Sequence, residues 1–226
     1  MRTHVSLLAY VQGLIFTNLM PTMLNIFLDS GFALFLVALL TFGAAQTATA
    51  QPAQEIQQML EQRDQEIKSI LQGDTTFTAT QREELKTLIN GVIDFRAMGQ
   101  QALGPFWSDL TPEQRTEFVE VFREIVRAQS LSDLEVYNSE VAYESIDVVG
   151  DSAYVQTATT YRGTSANVEY VLRKEDSEWY ATDIVVDDVS TAQSYARSFQ
   201  TLIRKRGFDA LMNSLRKKRD QIIARN

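Results

Sequence analysis

VAYESIDVVGDSAYVQTATTYRGTSANVEYVLRKEDSEWYATDIVV, Val141–Val186, is the stretch that decides the fold. Its clearest part is Asn167–Lys174, where Val168, Tyr170 and Leu172 alternate with Asn167, Glu169, Val171 and Arg173. A period of two sends successive side chains to opposite faces of a strand. Turn signals at Gly150-Asp151, Arg162-Gly163-Thr164 and Glu175-Asp176-Ser177 cut the stretch into about four strands. These are Val141–Val148, Ala153–Tyr161, Asn167–Lys174 and Trp179–Val186. One apolar and one largely polar face predict an antiparallel sheet covered on a single side.

Upstream the period changes. From Pro52 to Leu71 the residues Ile56, Met59, Leu60, Ile67, Ile70 and Leu71 recur at helical steps between Gln, Glu, Arg and Lys. Thr80-x-x-Glu83 predicts a capping box for a second helix with the apolar face Leu85, Leu88, Ile89, Val92 and Ile93. Asp94 caps a continuation that Gly104-Pro105 stops. Thr111-Pro112-Glu113-Gln114 opens a helix burying Phe118, Val121, Phe122, Ile125 and Val126. Downstream of the strands, Ser190 caps a helix bearing Tyr195, Phe199, Leu202 and Ile203, Gly207 ends it, and Phe208–Ile223 forms a last basic helix. Helices, a meander of strands and helices again predict an α+β domain.

The sole histidine is His4 and there is no cysteine. Most routes to covalent catalysis and to zinc, copper or haem ligation are thereby closed, and no cofactor or metal is expected. The net charge of -8 argues against nucleic acid as a partner. It is unevenly spread: residues 51–203 hold 12 Lys and Arg against 26 Asp and Glu, residues 204–226 hold 8 against 2. The basic end, Arg204-Lys205-Arg206 and Arg216-Lys217-Lys218-Arg219, either docks an acidic partner or complements helix dipoles. Gly31–Phe42 is an apolar run followed by Ala48-Thr49-Ala50, a signal-peptidase pattern. Residues 1–50 are therefore expected to be a cleaved signal peptide with cleavage near Ala50, or else an N-terminal membrane anchor. Residues 51–226 form the single remaining domain.

The ordered set Ile89–Gly104 (INGVIDFRAMGQQALG), Trp107, Leu110–Arg115, Phe118, Phe122, the Trp179–Asp183 strand, Val189-Ser190 and Phe199 through Gly207–Leu211 resembles the MlaC family. That family comprises soluble periplasmic phospholipid-binding components of a Gram-negative ABC transport system, also called the toluene-tolerance auxiliary family. At Asp187-Asp188 the sequence departs from the glycine usual in the family before Val-Ser. The resemblance implies a nuclear-transport-factor-like fold, with helices on one face of a curved antiparallel sheet of about four strands and an apolar cavity for acyl tails. It also implies phospholipid as ligand, with an outer-membrane lipoprotein complex and an inner-membrane MCE-type ABC transporter complex as partners. The carrier is expected to be a monomer and not an enzyme.

Carrying a phospholipid through water is a burial problem. At about 0.8 kcal/mol per methylene, two tails of roughly thirty methylenes represent on the order of 20 kcal/mol of apolar transfer. The wall expected to supply that burial is Val92, Phe95, Met98, Phe118, Phe122, Val155, Val168, Tyr170, Leu172, Val185, Phe199 and Ile203, each of which would equally suit an ordinary core. Two other readings stay open. A small enzyme would use a carboxylate from Asp183, Asp187 and Asp188, residues that also suit turns and caps, and an adaptor would have a filled core. Tyr137, Tyr143, Tyr154 and Tyr161 are further candidates for contacting a ligand.

Overall fold

A computed structural model describes residues 46–71, 77–131 and 133–224, which hold six α-helices and a five-stranded sheet. The leader reading of residues 1–45 lies outside them. Helix α1 (Gln46–Leu71) buries Ile56, Leu60, Ile67 and Leu71 along one stripe. It begins at Gln46 rather than at the expected Pro52, which removes one ladder bond without ending the helix. The expected cleavage point at Ala50 falls within it.

Helix α2 (Ala79–Asn90) is capped two residues earlier than expected. Thr78 accepts from the Gln81 amide, and the Gln81 side chain reaches back to the Thr78 N–H at 2.9 Å. Thr78-Ala-Thr-Gln81 satisfies the capping pattern as well as Thr80-x-x-Glu83 does, and Glu83 is engaged elsewhere, by Lys86 at 2.6 Å and Arg127 at 3.3 Å. Lys86 draws the Glu83 carboxyl below its ordinary range chiefly through that hydrogen bond. Val92 and Ile93 also differ from expectation. They lie beyond the end of α2, where the Ala181 N–H donates to the Val92 carbonyl at 2.7 Å and the Asp94 N–H to the Ala181 carbonyl at 2.9 Å. A short parallel bridge thus stitches the helices to the sheet.

Asp94 caps α3 (Phe95–Leu103) through the Ala97 N–H at 2.8 Å, and Gly104, at φ 55°, ends it. Thr111 and Gln114 form the expected capping box of α4 (Pro112–Gln129). A 3-10 turn, Leu134–Asn138, leads into β1 (Val141–Val149), followed by β2 (Ser152–Tyr161), β3 (Thr164–Glu175), β4 (Glu178–Val186) and the two-residue β5 (Val189–Ser190). The strands pair antiparallel in sequence order. Arg162-Gly163, Asp176-Ser177 and Asp187-Asp188 all have positive φ, the mirror-image turn that matches strand twist. In the last of these turns the Asp187 carboxylate accepts from the Asn167 N–H at 2.9 Å.

Ser190 caps α5 (Thr191–Arg206), and α6 (Phe208–Ile223) follows it. Arg216 pairs with Glu117 and Arg219 with Glu124, tying α6 to α4, whereas Arg204, Lys205 and Arg206 occupy the last turn of α5, where the helix dipole favours cations.

The buried side chains fall into four clusters, the two largest of which are bridged by Ile93. Phe95, Met98, Phe118, Phe122, Tyr195 and Phe199 belong to a cluster built from the helices alone. Phe118 and Phe122 stack at 5.7 Å, and Phe199 meets both edge-on. Gly99 allows this approach, because a Cβ there would stand 2.9 Å from Phe118 Cε1. A second cluster joins Ile56 and Leu60 of α1 to Val155, Leu172, Trp179 and Ala181 of the sheet. A third gathers Ala166 and Val186 with Val136, Val168 and Ile184, and a fourth sets Ile67 and Leu71 against Leu85.

Candidate functional site

Where these four clusters meet they leave an apolar cavity of about 310 Å³. Its floor is a cross-strand row. Tyr143 pairs with Thr157, Thr157 with Val168, and Val168 with Val186, and all four line the space. A second row contributes Tyr170 and, opposite it, Ile184. The roof comes from Leu60 and Ile67 of α1, Ile89 and Asn90 at the end of α2, and Val92 and Ile93 of the bridge. Val126 and Ser130 close one side, Val136 and Tyr137 another, and Thr191 and Tyr195 of α5 a third.

A β-bulge decides which residues of β4 face inward. Leu172 pairs with Ala181 but Val171 pairs with Asp183, so Thr182 is the extra residue. Strict alternation from Trp179 and Ala181 would carry Asp183 and Val185 to the cavity face. The bulge instead presents Ile184 and Val186, and Val185 pairs with Glu169 on the opposite side of the sheet.

Of the side chains expected at the wall, Val92, Val168 and Tyr170 line this cavity. Val155 and Leu172 fill the cluster beneath α1, and Phe95, Met98, Phe118, Phe122, Phe199 and Ile203 fill the helical core. The phenylalanines pack against one another and close the space around them, whereas aliphatic side chains, threonines and four tyrosines border the opening. Sequence reasoning passed over Thr157, Ile184 and Val186. Only the cross-strand register, Thr157–Val168–Val186 and Tyr170–Ile184, could have found them. Tyr137 and Tyr143 line the cavity, while Tyr154 is exposed and Tyr161 donates to Asp133 at 3.0 Å.

Desolvation raises the pKa of Tyr143, with the neighbouring Tyr170, Glu61 and Asp64 adding to it, and burial raises Tyr195 and Tyr170 likewise. These phenols therefore stay neutral and offer hydroxyl groups in a largely apolar wall. The Tyr161 phenol is pushed up to about 12 by desolvation and its bond to Asp133.

Asp183 is buried, but its carboxylate accepts from the Ile184 and Ala192 N–H groups at 2.9 Å each and from the Ser190 hydroxyl. It locks the β4–α5 junction and does not line the cavity. The carboxylate bordering the cavity is Asp64, which Lys68 neutralises at 2.7 Å. Among the described residues no group of His, Cys, Asp and Glu is arranged to hold a metal ion, and no helix is long and apolar enough to cross a membrane.

An apolar space roofed by helices over a meander, with neutral hydroxyls in its wall, suits hydrocarbon. The family model described as MlaC protein matches residues 48–217, the whole of the sheet and nearly all of the helices. The chain belongs to the MlaC family. A curated member, the intermembrane phospholipid transport system binding protein MlaC of Haemophilus influenzae, is 21% identical over 210 residues, covering 88% of this chain and 97% of that protein. A solved structure, the phospholipid-binding protein of Ralstonia solanacearum in complex with a phospholipid, superposes with a TM-score of 0.62 at 21% identity. The match covers 77% of this chain and 99% of that one. The MlaC fold is thus shared, while the cavity described above is built from this chain's own residues.

Proposed function

We propose that this protein is a phospholipid carrier that shuttles single lipids between membranes. The observation that carries the reading is the apolar cavity between sheet and helices, at the site where a filled core would otherwise stand. A protein-binding adaptor has no use for such a space, and the carboxylate that an enzyme of this fold would use is tied up at the β4–α5 junction. Membership of the MlaC family, and the phospholipid named for the Ralstonia solanacearum structure, support the same ligand. The carrier works in the periplasm as a monomer after removal of residues 1–50. It exchanges lipid with an outer-membrane lipoprotein complex and an inner-membrane MCE-type ABC transporter.

Native mass spectrometry of the protein as purified, followed by organic extraction, tests the reading. Co-purifying phospholipid at about one per chain is expected. A ligand-free protein that also fails to take up phospholipid after delipidation would overturn it.

A further inference from the structure

We infer that Arg63 holds the phosphate of the carried lipid, so that the cavity has a built-in anion site as well as an apolar wall. The inference rests on the carrier reading above and adds to it the group that fixes the lipid's polar end. The buried stripe of α1 runs through Ile56, Leu60, Ile67 and Leu71. Helical spacing requires a further member between Leu60 and Ile67, and Arg63 and Asp64 stand there instead. Both line the cavity. A charge in the middle of an apolar stripe is retained only where it has a partner.

Asp64 has one in Lys68. Arg63 has none: among the described residues no carboxylate lies within salt-bridge distance of it, and it is the one cationic side chain among the residues lining the cavity. Its Nη1 donates to the Leu88 carbonyl at 2.9 Å, which fixes the guanidinium beside the last turn of α2, and its Nε is buried without an acceptor. A fixed guanidinium with no carboxylate partner suits an oxyanion such as a phosphate, held by the guanidinium hydrogens that Leu88 leaves free. The shallow groove alongside β1 and β2 offers no such site. It is lined by Glu135 and Glu140, and the nearby Arg162 is paired with Glu135. An amphiphile with its tails on the Thr157–Val168–Val186 floor and its phosphate at Arg63 satisfies both the apolar and the charged part of the wall.

A purely structural role, capping α2 through Leu88, gives a different result in the same experiment. Delipidated full-length mature protein is offered dioleoyl-phosphatidylglycerol, dioleoylglycerol and oleate in competition, and loading is read by native mass spectrometry. The wild type is expected to favour the phosphate-bearing lipid over dioleoylglycerol by roughly 10- to 100-fold, the worth of a charge-assisted hydrogen bond. Arg63→Gln erases that preference and leaves dioleoylglycerol loading unchanged, and Arg63→Lys restores part of it. Arg63→Met, which keeps the apolar stem, replaces the glutamine variant if that one does not fold. Equal loss of both diacyl lipids with a lowered Tm would mean that Arg63 only caps α2, and would overturn the proposal. So would a wild type without preference, or Arg63-dependent loading of oleate alone, which would assign the site to a fatty-acid carboxylate. A wild type that loads no diacyl lipid would overturn the carrier reading itself.

Discussion

Replacing Val168 by Asp separates a wall from a core. Val168 is half-buried at the centre of the floor, flanked by Thr157 and Val186. In the empty protein a carboxylate there faces the cavity, and the loss is part of a valine's burial, about 1 kcal/mol. With roughly 2–4 °C per kcal/mol for a domain of this size, Tm falls by a few degrees. In the loaded protein the same carboxylate lies under hydrocarbon. An ion taken out of water in a protein costs several kcal/mol after relaxation, and about 3 kcal/mol already weakens binding roughly 150-fold. Phe122→Ala is the contrast. Phe122 is fully buried and touches Phe95, Phe118, Tyr195 and Phe199, so its loss costs about 3–5 kcal/mol and lowers Tm by roughly 10 °C. The expected pattern, read by thermal melts and by phospholipid recovered per folded chain, is lipid loss with a near-normal Tm for Val168→Asp. Phe122→Ala, assayed well below its melting point, shows the reverse. Wild-type lipid occupancy in Val168→Asp, or lipid loss in folded Phe122→Ala, would show that the floor is misassigned.

Three further outcomes are expected. Asp183→Asn removes the acceptor for the Ser190 hydroxyl and the charge on two N–H bonds, lowering stability by about 2 kcal/mol in urea titration while lipid occupancy holds. If stability held and lipid handling failed, Asp183 would act in the site instead. Asp188 sits at φ 63° without the side-chain bond that Asp187 makes, so Asp188→Gly raises stability by about 1 kcal/mol, and an unchanged or lower urea midpoint would count against strain at that turn. Tyr195 has its pKa raised by burial, so the stability of its neutral form is fully present below the unfolded value of about 10 and is lost as pH rises toward the folded value. Between about pH 9 and 11, Tyr195→Phe should flatten the fall in unfolding free energy by up to about 1.4 kcal/mol per pH unit. An identical pH profile in the two proteins would show that this phenol does not titrate against its burial.

Elements whose signal is local were legible. The Asp94, Thr111 and Ser190 caps need only a side-chain oxygen within three residues of a free N–H, and the hairpins need only two residues that accept positive φ. Where two local patterns overlapped, as at Thr78 and Thr80, Glu83 is taken up by Lys86 in its own helix and by Arg127 across space, and the second contact has no local signal. The parallel bridge of Ile93 to Ala181 was illegible for the same reason, because its hydrogen bonds join segments far apart in the chain.

The sequence by itself determined the α+β order of elements, the strand alternation and the apolar character of the interior, because propensity and periodicity act between near neighbours. Which apolar residues pack to a solid core and which border a void was decided only by the tertiary structure. Phe118 and Val168 are both inward-facing apolar residues in the sequence. The first is closed in by other rings, whereas the second lies where four clusters stop short of one another. The bulge at Thr182 adds the same lesson, since one extra residue exchanges Val185 for Ile184 and Val186 on the cavity face, and alternation along a single strand carries no sign of it.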